Sequence, residues 1–270
     1  MVKTVLVLQR VAARIYHPHA SLNSHLHVRY FMKGKPLSIE NRWDILYRDY
    51  PEIYDEFAHV PYRPKMIDIL HERFNLHDKI IVDVESGSGR SSIELARYAE
   101  KVIGVEPETA MRDMAQKNTV EQGLDNIVYV DGRAEAIPLE DSAVDLVIAL
   151  TATMYPPEEV IPVFINEARR VIKPVGTIVS VDVAPGWYGG ELAHVIDDPD
   201  ADIELKAKHR LFVEEAGFSY VDVIQTAYYG SLEKILSTYG FIFGEKVSDY
   251  LKQKRITSIR WNFRIYYEQH

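Results

Sequence analysis

Between Lys79 and Val183 the sequence keeps switching between two patterns, and this alternation constrains the fold more than any other feature. Short apolar runs, "KIIVDV" (79–84), "KVIGVE" (101–106), "NIVYV" (126–130), "AVDLVIAL" (143–150) and "GTIVSVDV" (176–183), read as strands buried on both faces. Between them "RSSIELARYAE" (90–100), "PETAMRDMAQKNTVEQGL" (107–124) and "PEEVIPVFINEARRVI" (157–172) read as helices. Strands alternating with helices predict a parallel sheet wound on both faces by helices. Later, "ELKAKHRLFVEEAGF" (204–218) reads as a further helix. "YVDVIQTAYYG" (220–230) and "SIRWNFRIYYE" (258–268) are rich in β-branched and aromatic residues and read as strands. The expectation is an α/β, doubly wound, mostly parallel seven-stranded sheet with an antiparallel edge. The amphipathic stretch at 231–254 is a helical insertion before the last strand. Residues 1–62 are expected to form an N-terminal extension and cap helices, and 63–270 the main domain.

Composition limits what such a fold does. The chain has 270 residues, 47% of them hydrophobic, a formal net charge of −9 and no cysteine. The charge argues against a nucleic-acid partner. The absence of cysteine excludes disulfides, zinc–thiolate sites and a cysteine nucleophile, and it suits a cytoplasmic protein. The N-terminal apolar stretch is interrupted by Lys3, Gln9, Arg10 and Arg14, so no membrane span is expected. His17, His19, His25 and His27 form two H-x-H pairs, but no carboxylate pattern accompanies them and no metal site is expected.

In a doubly wound sheet the ligand lies beyond the carboxyl ends of the strands, where strand order reverses. "VDVESGSGR" (82–90) occupies that place after the first strand. Gly87 and Gly89 allow a tight turn and a close approach of backbone to ligand. Glu106, at the end of the second strand, has the position and chemistry to accept hydrogen bonds from both hydroxyls of a ribose. Its loss is expected to weaken binding and leave the stability of the free protein nearly unchanged.

The chain resembles the class I S-adenosylmethionine-dependent methyltransferases, closest to the "type 11" group that includes quinone-biosynthesis C-methyltransferases. The resemblance runs from about residue 63 to 230. It rests on an acid-x-G-x-G-x-G loop matched by Asp83, Glu85, Gly87 and Gly89, and on the acid of "VIGVEP" at Glu106. "GRAEAIPL" (132–139), "VDLVIA" from Val144 and "EARRVIKPVG" (167–176) complete the series. It implies S-adenosylmethionine as cofactor, held by Asp83, Glu85, Gly87, Gly89, Glu106, Arg133, Ala134, Glu135 and Thr151. It also implies in-line methyl transfer to a small, partly apolar acceptor. Candidates around that acceptor are Tyr50, Tyr54, His59, Tyr62, Thr151, Tyr155, Trp187, Tyr188 and His194, with Tyr54, Tyr155 and His194 as acid–base or orienting groups.

Three residues depart from the family pattern. Val175 replaces a turn glycine, and Arg133 replaces a frequent aspartate. Glu85 stands where the first loop glycine is expected. Its carboxylate could pair with the cofactor's ammonium, or its side chain could fill the methionyl space. Reduced affinity is expected, with Glu85 turned away or paired. Two other classes stay open at this point: a methyltransferase-like binding protein that has lost catalysis, and a nicotinamide-dependent oxidoreductase. The oligomeric state is not readable.

Overall fold

The computed structural model describes residues 31–32, 35–36, 38–58, 62–152 and 154–270; the H-x-H histidines and His59 lie outside them. A short hairpin of β1 (Phe31–Met32) and β2 (Lys35–Pro36) precedes helices α1 (Trp43–Asp49), α2 (Pro51–Ala58) and α3 (Tyr62–Phe74). The main domain continues with β3 (Ile80–Val84), α4 (Arg90–Leu95), β4 (Lys101–Val105), α5 (Thr109–Glu121) and β5 (Ile127–Val130). Then come β6 (Val144–Leu150), α6 (Pro157–Val171), β7 (Ile172–Val183), α7 (Ala193–Ile196) and α8 (Pro199–His209). After β8 (Ser219–Tyr228) the insertion forms α9 (Leu232–Ile235), α10 (Phe241–Phe243) and α11 (Glu245–Lys254), and β9 (Ser258–Gln269) closes the sheet.

The seven strands run in the order β5-β4-β3-β6-β7-β9-β8. β3 through β7 are parallel, and β9 lies antiparallel between β7 and β8. The edge strand is therefore β8, and the last strand is interior. Order reverses between β3 and β6, so the crevice expected of this topology opens above Val84 and Leu150.

Period-two side-chain alternation divides the core into two layers. Ile81, Val102, Leu146, Ile148 and Val179 face one layer, together with Leu46, Phe57, Met66 and Leu70 of the cap helices and Ile235, Tyr239 and Ile242 of the insertion. Val82, Val84, Ile103, Val147 and Ile178 face the other, against Ile161, Phe164 and Ala168 of α6 and Leu211 and Phe212 beyond α8.

Two element boundaries differ from the sequence reading, each for a local reason. The helix expected from residue 204 begins at Pro199, because Asp198 accepts the Ala201 N–H at 3.0 Å as an N-cap and proline fits the first helical position. β7 starts at Ile172, four residues early: Pro174 drives the preceding backbone into the extended region, and Ile172 already pairs with Val144.

Candidate active site

The loop after β3 holds one glutamate and two glycines at positive φ, Glu85, Gly87 and Gly89. Glu85 has φ +56°, in the left-handed region. A glycine would be unstrained there, and a glutamate costs of order 1 kcal/mol or more. Gly87 also has positive φ, and a Cβ on it would come within 3.3 Å of the Tyr54 hydroxyl. Gly89 is needed for packing: a Cβ there would strike Tyr129 at 2.4 Å and Ala115 at 2.8 Å. The sequence reading gave Gly89 to the cofactor; in the structure its immediate neighbours are the Tyr129 ring and α5.

Asp83 also differs from expectation. It is 1% exposed, and its Oδ2 accepts the hydroxyls of Ser91 and Ser92 at 2.8 and 2.6 Å. It therefore anchors the start of α4 to β3. Glu106 is 5% exposed at the end of β4. Its Oε2 accepts the Gly87 N–H and its Oε1 the Glu108 N–H, both at 2.9 Å. Burial raises its pKa, and those two N–H groups act in the opposite direction. Glu106 thus also shapes the loop itself, which changes the expectation that its removal leaves stability alone: two backbone donors would lose their acceptor.

Glu85 lies in the same crevice, partly reached by solvent, and among the described residues its carboxyl has no hydrogen-bond partner. Burial pushes its pKa up to about 8, with further pushes from Glu106 and Glu135 and opposing pulls from Lys208 and Arg133. Lys208 of α8 is itself held by Asp182 at the end of β7.

The loop after β5 is clamped by the "EARR" motif. Glu167 accepts the Ile137 N–H at 3.0 Å, and Arg170 donates to the carbonyls of Ile137 and Leu139 at 2.9 and 2.7 Å. This fixes the turn containing Arg133, Ala134 and Glu135. Arg133 is exposed, Glu135 half-buried and the Ala134 side chain fully buried, so Ala134 has only backbone to offer. Thr151 follows β6 with φ +54°; its hydroxyl donates to Leu150 O and its N–H to Val181 O, each at 2.7 Å.

The candidates for acceptor contact separate into groups. Tyr54 lies over Gly87 and packs edge-on to Tyr47 with ring centroids 4.9 Å apart. The next residue, Asp55, makes a two-bond ion pair with Arg90 at 3.0 and 2.8 Å, which ties α2 to the start of α4. Asn118 Nδ2 adds a 2.9 Å bond to Ser88 O on the same loop. Tyr188 is hydrogen-bonded to Asn41 at 2.6 Å and Trp43 at 2.8 Å, joining the β7 loop to the start of the cap. Tyr155 is half-buried, and burial raises its pKa, helped by Glu204, Glu158, Asp200 and Glu159. Trp187 is half-buried in the β7 loop and Tyr50 packs on Phe241, whereas the Tyr62 side chain lies outside the described set. His194 is exposed, with Nδ1 3.2 Å from Glu191 O and its ring edge-on to Tyr250 of the insertion. Sequence reasoning missed Asp55, Arg90 and Lys208; only the position of Arg90 directly after Gly89 hinted at a role.

Residues 81–176 match the methyltransferase domain family. A Dictyostelium discoideum protein named for methyltransferase function is 26% identical over 185 residues, 68% of this chain and 63% of that one. The methyltransferase YcgJ of Bacillus subtilis is 26% identical over 102 residues, 38% of this chain and 40% of that one. The chain therefore spans less than two thirds of these relatives' lengths. The solved structure of the YcgJ protein superposes with a TM-score of 0.54 at 14% identity, covering 75% of this chain and 97% of that one. A SAM-dependent methyltransferase from Aquifex aeolicus superposes with a TM-score of 0.52 at 19% identity, covering 80% and 97%. These structures share the fold, and in sequence the chain carries a methyltransferase domain at residues 81–176, similar to relatives named as methyltransferases.

Proposed function

We propose that this protein transfers a methyl group from S-adenosylmethionine to a small, partly apolar acceptor. The observation that carries the reading is Glu106, buried at the switch-point crevice with both carboxylate oxygens directed by loop N–H groups, next to Gly87 and the Tyr54 hydroxyl. A buried acid held this way is suited to two adjacent hydroxyls of a ribose. The surrounding acids, Glu85 and Glu135, suit a ligand of net positive charge. The cofactor, when bound, supplies an activated methyl on a neutral leaving group.

What the chain itself must do is hold the reactants in line and keep water out; positioning of this kind can supply ~7–11 kcal/mol. Glu106 would hold the ribose, Gly87 would give the backbone room, and the clamped turn Arg133–Glu135 would border the base. Tyr54 would orient the acceptor; its hydroxyl lies near Gly87, and the neighbouring Asp55 pairs with Arg90. Tyr155, from the loop after β6, is the second orienting candidate. A general base is required only for an acceptor that carries a proton at working pH. The insertion contributes walls: Phe243 packs on Trp43 and Tyr188, with ring centroids 5.9 Å apart in each case. None of the helices of the described residues is long and apolar enough to cross a membrane.

Calorimetry with S-adenosylmethionine, S-adenosylhomocysteine, NAD and NADP tests the reading. Binding of the first two and of neither nicotinamide is expected. Binding of NAD with no binding of the sulfur compounds would replace methyl transfer with hydride chemistry.

A further inference from the structure

The two edges of the sheet are built differently. β5 is four residues long and is flanked by Asp125 and Asp131. A short edge bracketed by charge resists pairing with another chain. β8 is ten residues long, pairs with β9 from Ser219 to Tyr228 without a register shift, and contains no proline, lysine or arginine. Its one charged residue, Asp222, accepts two bonds from Arg264 at 2.7 and 2.8 Å. β8 therefore lacks the devices that usually blunt an edge strand: shortness, a bulge, proline and free charge.

The direction of its backbone groups follows from its end. The Tyr229 N–H donates to Thr257 O at 3.0 Å, so the odd-numbered positions of β8 turn their N–H and C=O groups to β9. The even-numbered positions, Tyr220, Asp222, Ile224, Thr226 and Tyr228, turn theirs to the open edge, and among the described residues no strand pairs with it. Side chains alternate in the same period. Gln225 and Ala227 are buried on the inner face, whereas Tyr220, Ile224 and Tyr228 on the outer face are 46%, 54% and 64% exposed. A row of outward donors and acceptors thus runs beside a row of exposed apolar side chains, the surface to which another strand adds.

The row also identifies its occupant, because it is symmetric about Ile224. Lay a second β8 antiparallel along the edge, with the two-fold axis at Ile224. Ile224 then meets its own counterpart, Tyr220 meets Tyr228 of the second copy, and Asp222 meets Thr226 of the second copy. Every outward backbone group finds a partner and no like charges face each other. An axis at Asp222 would instead oppose two carboxylates. Tyr220 is already ordered for the contact: the Arg264 guanidinium lies 4.3 Å from its ring centroid and the His209 ring stands edge-on at 5.1 Å. Side chains fixed in advance lower the entropy lost on association. We propose that β8 is the interface of a two-fold homodimer, in which the sheets of two copies of this chain join edge to edge about Ile224.

The chain has no cysteine, so single introduced cysteines report the register. Ile224→Cys is expected to cross-link to its own counterpart through a short thiol-specific reagent. Tyr220→Cys alone is expected not to, since its two copies would lie about 27 Å apart, but a mixture of Tyr220→Cys and Tyr228→Cys is. Sedimentation equilibrium of the full chain should show a concentration-dependent dimer. Ile224→Lys, which opposes two ammonium groups, should weaken it by about tenfold or more. Hydrogen exchange at the outward amides should slow as protein concentration rises. A monomer at every concentration, a dimer indifferent to Ile224→Lys, or cross-linking of Tyr220→Cys to itself would overturn the proposal. Protection of those amides independent of concentration would overturn it too, because the edge would then be covered within one chain. Thermal melts of Ile224→Lys separate lost association from lost folding; if that variant fails to fold, the cysteine pairs decide.

Discussion

The half of the crevice built on β3, β4 and β5 and the half built by the cap helices and the insertion are held by different forces. Around β3, β4 and β5 the key polar groups are fixed by directed bonds: Asp83 accepts two serine hydroxyls, Glu106 accepts two backbone N–H groups, and Glu167 and Arg170 hold the Ile137–Leu139 segment. The cap helices and the insertion instead meet through rings and aliphatic chains. Trp43, Phe57, Phe243, Tyr239 and Trp261 pack edge to face or tilted, and Leu46, Ile235 and Ile242 are fully buried among them. Directed bonds fix one geometry, whereas apolar packing tolerates substitution at constant volume. Only a few polar stitches cross between the halves, chiefly Asp55–Arg90.

Phe243→Ala should break this comparison most sharply. It removes a 6%-exposed ring between Trp43, Tyr188 and Tyr239, a change that costs about 3–5 kcal/mol. If the two halves are separable, hydrogen exchange will accelerate across 231–254 and the cap helices while β3–β7 stays protected. Uniform acceleration would show one cooperative unit. If the insertion also serves as a lid, S-adenosylhomocysteine will slow exchange there.

Glu106→Ala probes the other half. S-adenosylhomocysteine affinity is expected to fall by about 1.5–3 kcal/mol, and stability of the free protein by roughly 1–3 kcal/mol, because the N–H groups of Gly87 and Glu108 lose their acceptor. Calorimetry and urea melts report the two numbers separately, and unchanged affinity would remove Glu106 from the ribose.

Proton linkage separates the halves without any ligand. Glu85 has a folded pKa above its ordinary value, so its contribution is present at low pH. That contribution is lost as pH rises from 4.5 to about 8, because the folded state must give up a proton it holds more tightly. Stability of the free protein should fall across that window by up to about 1.4 kcal/mol per pH unit, and Glu85→Gln should remove that slope. Identical pH profiles for the two proteins would show that Glu85 ionises normally.

The stitch between the halves is measured by a double-mutant cycle on Asp55→Ala and Arg90→Ala. The side chains are 19% and 16% exposed, and a coupling of about 1–2 kcal/mol is expected, with weaker ligand binding as Tyr54 loses its seat over Gly87. The smallest effect belongs to Val175→Gly, which restores the family's glycine. Val175 is 84% exposed within β7 and needs no positive φ, so glycine should cost about 0.5–1 kcal/mol through backbone entropy. The glycine that matters is Gly176, where a Cβ would lie 2.4 Å from Ile172 and 2.9 Å from the Asp145 carbonyl.

The alternation of apolar strands and amphipathic helices determined the parallel core, the crevice above β3 and β6, and the positions of Glu85, Gly87 and Glu106. Those features follow from local periodicity and from residues close in sequence, so a linear reading reaches them. It did not reach the placement of β9 inside the sheet, since strands of equal β-propensity give no order, and pairing with β7 and β8 is decided by facing side chains. Nor did it show that Asp83 faces two serines, that Gly89 makes room for Tyr129, or that His194 turns outward to Tyr250. Asp55 meeting Arg90 and Lys208 approaching Glu85 join residues 35 and 123 positions apart. Such contacts arise only when packing of the two core layers brings distant segments together, and a sequence without its fold carries no record of those distances.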